Sequence, residues 1–173
     1  MACMERFRQI SADVAFGALI FLLPVGLAAA VELGAPAPAF ELTGLNGVLR
    51  LGNYQGKVVY LDFWASWCGP CRQSFPWMNM LQEKYADQGL QVISVNLDAR
   101  RPDADRFLAA VPANFVIAFD PAGVTPRQYG VKGMPTSVLI GRDGKVIAQT
   151  VGFKPSESAG LEQKIRDTLR NTP

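Results

Sequence analysis

Two cysteines three positions apart, Cys68 and Cys71, are the residues of this 173-residue chain whose types and spacing point most directly to chemistry. They lie in Trp67-Cys68-Gly69-Pro70-Cys71, where an apolar run gives way to a helical pattern. A cysteine at a helix N-terminus faces unpaired backbone N–H groups and the positive end of the helix dipole, which lowers its pKa and favours the nucleophilic thiolate. Pro70 suits the first helical turn, where an N–H would be unpaired anyway. The second thiol, one turn along, is close enough to attack a mixed disulfide formed on the first. A purely stabilising crosslink is a poor reading, because so short a loop restricts little of the unfolded chain. Half of a zinc site is poorer still, since the chain holds no histidine and no second pair of cysteines. The spacing and context favour reversible dithiol–disulfide chemistry.

Asp62 is the candidate proton handler. It is the one charge in Val58–Ala65, a run apolar on both alternating faces. A carboxylate buried there without a cation has a raised pKa, and its nearness in sequence to the thiols favours a functional role over simple pairing with Lys57. Trp67, directly before Cys68, is expected to shield the thiolate and shape a docking surface. Trp64 reads as core. Arg72 fits either a thiolate-stabilising cation or a solvated helix position. Met78 and Met80 read as core and surface positions of a helix rather than a copper site.

The elements that must hold these groups follow from periodicity. Phe40–Thr43 and Val48–Leu51 flank an Asn46-Gly47 hairpin signal. Lys57–Ala65 reads as a central strand covered on both faces. From Pro70 to Gln88 the pattern is helical, with Phe75, Met78, Leu81 and Tyr85 on one stripe and Gly89 as the stop. Leu90–Leu97 is a strand. Pro102 opens a helix with Phe107, Leu108 and Val111 on one side. Asn114–Phe119 is a further strand and Thr125–Tyr129 a short helix or turn. Thr136–Ile140 and Lys145–Val151 form a hairpin, and Ser156–Arg170 closes as a helix with Leu161, Ile165 and Leu169 in register. The order implies an α/β fold, a central mixed sheet with helices on both faces.

Composition narrows the function classes. The chain is 49% apolar and 18% charged, with 17 basic and 15 acidic residues and no long basic run, so no nucleic-acid-binding face is expected. The absence of histidine excludes a Ser-His-Asp triad and histidine-ligated haem. Val14–Ala30 is uncharged, follows Arg6 and Arg8, and ends in Ala28-Ala29-Ala30, the pattern of a secretory signal. Its length also reaches the short end of the roughly 17–25 residues that span a bilayer, so a retained anchor is the alternative. The expected organisation is residues 1–30 as signal peptide or membrane tether, 31–38 as linker and 39–173 as the working domain. Either reading places that domain outside the cytoplasm, soluble after cleavage or tethered. Cleavage would remove Cys3 and leave one cysteine pair.

Asp62-Phe-Trp-Ala-Ser-Trp-Cys-Gly-Pro-Cys71 resembles the active site of the thioredoxin superfamily, and Tyr129-Gly-Val-Lys-Gly-Met-Pro-Thr-Ser137 resembles that superfamily's cis-proline segment. Pro76 matches its kink proline. The N-terminal apolar segment, the β-hairpin and the extra helix–strand at residues 102–119 are similar to the exported TlpA/ResA branch. The resemblance covers residues 34–170 and implies a thioredoxin fold with an N-terminal β-hairpin and a helix–strand insertion. It implies Cys68 as attacking thiol, Cys71 as resolving thiol and Asp62 as the carboxylate assisting proton movement at Cys71. It implies a substrate surface of Trp67, Gly69, Pro70, Met134 and Pro135, with Met134-Pro135 a cis peptide facing an extended substrate strand. It further implies no cofactor beyond the redox-active disulfide, no metal, protein disulfides as substrates, a membrane electron donor of the DsbD/CcdA type, and a monomer.

The Gly-Pro pair between the cysteines is that of thioredoxin, whose potential lies near about −270 mV, against about −120 mV for DsbA. Strong oxidants of the DsbA kind carry a histidine there. The expectation is therefore a periplasmic reductase, with apocytochrome c or copper-centre assembly proteins among the substrates of the resembled branch. Two rivals remain. The lead-in Pro36-Ala-Pro38-Ala-Phe40 is shared with peroxiredoxins, and two thiolates can hold Cu(I) as an assembly chaperone would.

Overall fold

The computed structural model describes residues 31–171. Cys3, the Val14–Ala30 segment and the signal-or-tether expectation attached to it lie outside the described residues. No helix among the described residues is long and apolar enough to cross a membrane.

Seven strands form one mixed sheet: β1 (Glu41–Gly44), β2 (Gly47–Arg50), β3 (Val58–Trp64), β4 (Leu90–Asn96), β5 (Val116–Phe119), β6 (Thr136–Ile140) and β7 (Val146–Val151), in the spatial order β2-β1-β5-β4-β3-β6-β7. The helices are α1 (Gly69–Tyr85), α2 (Arg101–Ala110), α3 (Val124–Gln128) and α4 (Ser158–Arg170). β3, β4 and β5 are parallel, joined by α1 and α2, while β6 runs antiparallel to β3. Every residue of β3 is buried, as its two-faced apolar sequence requires. Parallel strands need crossover helices, and both crossovers step in the same direction across the sheet, so right-handedness puts α1 and α2 on one face. There Tyr60, Trp64, Phe75, Met78, Leu81 and Phe107 share a core with Ile165 and Leu169 of α4. The other face buries Leu61, Phe63, Ile93 and Val138 against Phe40, Leu49 and Tyr129, beneath the segments flanking the hairpin and following α3. The fold is the thioredoxin fold with the N-terminal hairpin and the inserted helix–strand.

Boundaries differ from the sequence expectation in a few places. The hairpin turns at Leu45-Asn46, and Gly47 already belongs to β2, pairing with Gly44. Gly47 has φ +114°, and a Cβ on Gly44 would lie 2.9 Å from the Gly47 carbonyl oxygen, so both positions need glycine. The first helix ends at Tyr85 and tightens into a 3-10 turn at Ala86–Gln88 before Gly89, which stops it in the left-handed region. In α4 the stripe is carried by Ile165 and Leu169, with Leu161 only half-buried. Residues 34–37 are hydrogen-bonded to the β6–β7 turn and the start of β7, Gly34 N–H to the Val146 carbonyl at 2.8 Å and Ala37 N–H to the Gly144 carbonyl at 2.9 Å, and so pack as part of the folded unit.

Candidate active site

Cys68 is the N-cap of α1 and Cys71 lies in its first turn. The two are joined by a disulfide, Cα to Cα 5.3 Å. The Cys71 backbone N–H donates to the Cys68 sulfur at 3.2 Å. That N–H is one of the unpaired donors at a helix start, so once the pair is reduced it would stabilise negative charge on Cys68 in place of a conventional oxygen cap. Cys68 keeps 5% exposure and Cys71 none, so Cys68 is the more accessible sulfur. Gly69 and Pro70 are exposed beside it, and Trp67 is 73% exposed. Trp67 therefore extends into solvent rather than closing over the sulfur. The Met134-Pro135 peptide is cis, and β6 begins one residue later, with Thr136 paired to Phe63 near the end of β3. Two distant stretches of sequence thus meet at the end of β3 from which the cysteine loop departs.

Asp62 points to the same face as Tyr60 and Trp64, by strand alternation, and so towards the layer containing Cys71. It is buried, and its carboxylate accepts one hydrogen bond, from Ser94 Oγ at 3.1 Å. Burial pushes its pKa up from 3.8 to about 8, against a smaller lowering by Ser94. Lys57 is not its partner: it is exposed at the opposite end of β3 and forms no ion pair among the described residues. Burial, followed by the nearby Asp62 charge, also raises the Tyr60 phenol.

Several supporting groups were not singled out by sequence. Ser94 lies opposite Asp62 across the β3–β4 pairing. Asp98, buried just past β4, accepts from Ser66 N–H at 2.9 Å, Ser66 Oγ at 3.0 Å and Asn96 Nδ2 at 2.8 Å. This clamp ties the end of β4 to the loop immediately before Cys68. Arg72 stacks its guanidinium 4.9 Å from the Phe107 ring centre, joining α1 to α2. Trp64 is core, as expected, packed against Phe75 and Phe107 at 4.9 and 4.6 Å. Met78 is buried and Met80 half-buried on α1. The signals for the missed residues were present as alternation: Ser94 and Asn96 recur every second residue in β4, but only the register reveals what they face.

Comparison with known proteins agrees with this geometry. The family described as Redoxin matches residues 32–165. The thiol-disulfide oxidoreductase ResA of Bacillus cereus is 36% identical over 164 residues, 92% of this chain and 94% of ResA. A thiol:disulfide interchange protein, DsbE, from Chlorobium tepidum shares 61% identity with a TM-score of 0.80, covering 81% of this chain and 99% of that one. The exposed lipoprotein thioredoxin Etrx1 of Streptococcus pneumoniae is 30% identical with a TM-score of 0.66, covering 75% and 99%.

Proposed function

The chain belongs to the Redoxin family, in the ResA/TlpA-like branch of the thioredoxin superfamily, and from that premise we propose that this thiol-disulfide oxidoreductase works as a reductant outside the cytoplasm. The observation that carries the chemistry is the cysteine pair at the start of α1, one sulfur accessible and capped by a backbone N–H, the other buried beneath it. In the reduced protein the Cys68 thiolate attacks one sulfur of a substrate disulfide. The substrate S–S bond breaks, a mixed disulfide forms on Cys68, and the first substrate sulfur leaves as a thiolate. Cys71 then loses its proton, and its sulfur displaces the second substrate sulfur from Cys68. The substrate gains two electrons and the protein ends as the Cys68–Cys71 disulfide.

The proton from Cys71 needs an acceptor within the buried layer; Asp98 there already takes three hydrogen bonds, which leaves Asp62. A group titrating near pH 8 can both take and return a proton under ordinary conditions, which an exposed aspartate near 3.8 does poorly. The resulting disulfide must be reduced again, and a membrane dithiol donor of the DsbD/CcdA type fits that need. Trp67, Gly69, Pro70, Met134 and Pro135 make up the surface on which the substrate rests. Location outside the cytoplasm is supported by the Val14–Ala30 segment and by the relative whose name calls it an exposed lipoprotein. Proteins of cytochrome c or copper-centre assembly are the substrate classes tested first.

Cys71→Ser is the experiment. The variant is expected to hold its partners as mixed disulfides on Cys68, released by dithiothreitol, whereas Cys68→Ser captures none. Equal capture by both variants would overturn the assignment of roles.

A further inference from the structure

The exposed charged side chains near Cys68 are basic and lie among exposed apolar ones, while carboxylates at the same end of the molecule are buried or already paired. Trp67 is 73% exposed and Val151 66% exposed. Val151 stands beside the cis peptide, since it pairs with Thr136 and the next residue, Gly152, donates its N–H to the Pro135 carbonyl at 2.7 Å. Arg72, one turn after Cys68 on α1, is exposed, braced on Phe107, and has no carboxylate partner among the described residues. Lys132, two residues before Met134, is likewise exposed and without an ion pair among the described residues. Arg100 at the N-cap of α2 and Arg106 within it share one carboxylate, Asp103. Asp98 and Asp120 point inward, taken up by Ser66 and Asn96 and by the Thr125 N–H. The first turns of α1 and α2 open towards the same end and add positive potential.

We propose that this basic and apolar rim selects the substrate, favouring protein disulfides whose cysteines are flanked by aspartate or glutamate. The inference rests on the oxidoreductase reading and specifies its substrate class. Complementary charge acts mainly on encounter rate and on rejection of wrong partners, and is screened by salt. Arg72 is suited to this because a guanidinium already held on a ring loses little freedom when a carboxylate binds its planar fork.

The test uses the full chain, reduced beforehand, in single-turnover reactions with cystine peptides of equal length and apolar content. The peptides carry aspartate, serine or lysine beside each cysteine. The expected result is a second-order rate at least about tenfold higher for the aspartate peptide than for the lysine peptide at low salt, shrinking to about twofold at about 0.5 M salt. In the double variant Arg72→Glu/Lys132→Glu the ratio of the two rates inverts. Because it is a ratio within one protein, any change in Cys68 reactivity cancels. Equal rates at low salt, a preference for lysine, or a preference indifferent to salt would overturn the proposal. A neutral dipyridyl disulfide separates the two levels. Its reduction without flank selectivity refutes the rim alone, and no reduction of any disulfide refutes the oxidoreductase reading with it.

Discussion

At the scale of the residue, Asp62 couples function to stability. Its carboxyl titrates near 8 in the folded protein and near 3.8 when exposed, so the folded state holds more protons between those values. Stability therefore falls as pH rises from about 4 to about 8 and levels off above that. Asp62→Asn is expected to raise the melting temperature of the oxidised protein at pH 8, and the gain should vanish near pH 4. The same variant should resolve mixed disulfides more slowly, with the deficit shrinking as pH passes the ordinary thiol value of about 8.5. An Asp62→Asn protein less stable than wild type at pH 8 would mean that the carboxylate is charged and satisfied. Ser94→Ala removes the one hydrogen bond donated to that carboxylate. It should push the Asp62 midpoint up further, as read by carboxyl NMR titration, because a hydrogen bond to the charged form is lost. Asp62 was legible because a lone charge in a strand apolar on both faces is conspicuous. Ser94 was not, because its role depends on the register of two strands separated by a whole helix.

At the scale of the element, the cysteine loop is held by the segment just past β4. Asp98 receives both donors of Ser66 and the amide of Asn96, so Asp98→Ala leaves a half-buried N–H and a buried amide unpaired. A loss of about 2–3 kcal/mol in urea unfolding is expected, while Asp98→Asn, which keeps one acceptor, should lose less. Equal and negligible losses would show that the clamp contributes nothing. The pattern of strands and helices was readable from periodicity and glycine stops almost throughout. Contact between elements escaped. The Arg72–Phe107 stack joins side chains 35 positions apart, and the Asp98–Ser66 pair spans 32. The short 3-10 turns at Ala86–Gln88 and Pro155–Glu157 also merge into neighbouring helices when only periodicity is considered, since they adjoin those helices with a slightly tighter winding.

At the scale of the whole molecule, the arrangement is a rigid sheet with its chemistry at one end. The parallel strands β3 and β4 end where α1 and α2 begin, and the cis segment enters β6 at that same end. The site is thereby built from three separate stretches of chain fixed by one core. Around it the exposed charges are basic, Asp62 and Asp98 are buried carboxylates, and the chain holds no histidine to stabilise a thiolate further. The proposed direction, a reducing couple, rests on the Gly69-Pro70 pair between the cysteines and on that missing histidine. The equilibrium potential of the Cys68–Cys71 pair against a glutathione buffer tests that claim most directly. A value near that of thioredoxin, about −270 mV, is predicted, and a value above about −180 mV would contradict it.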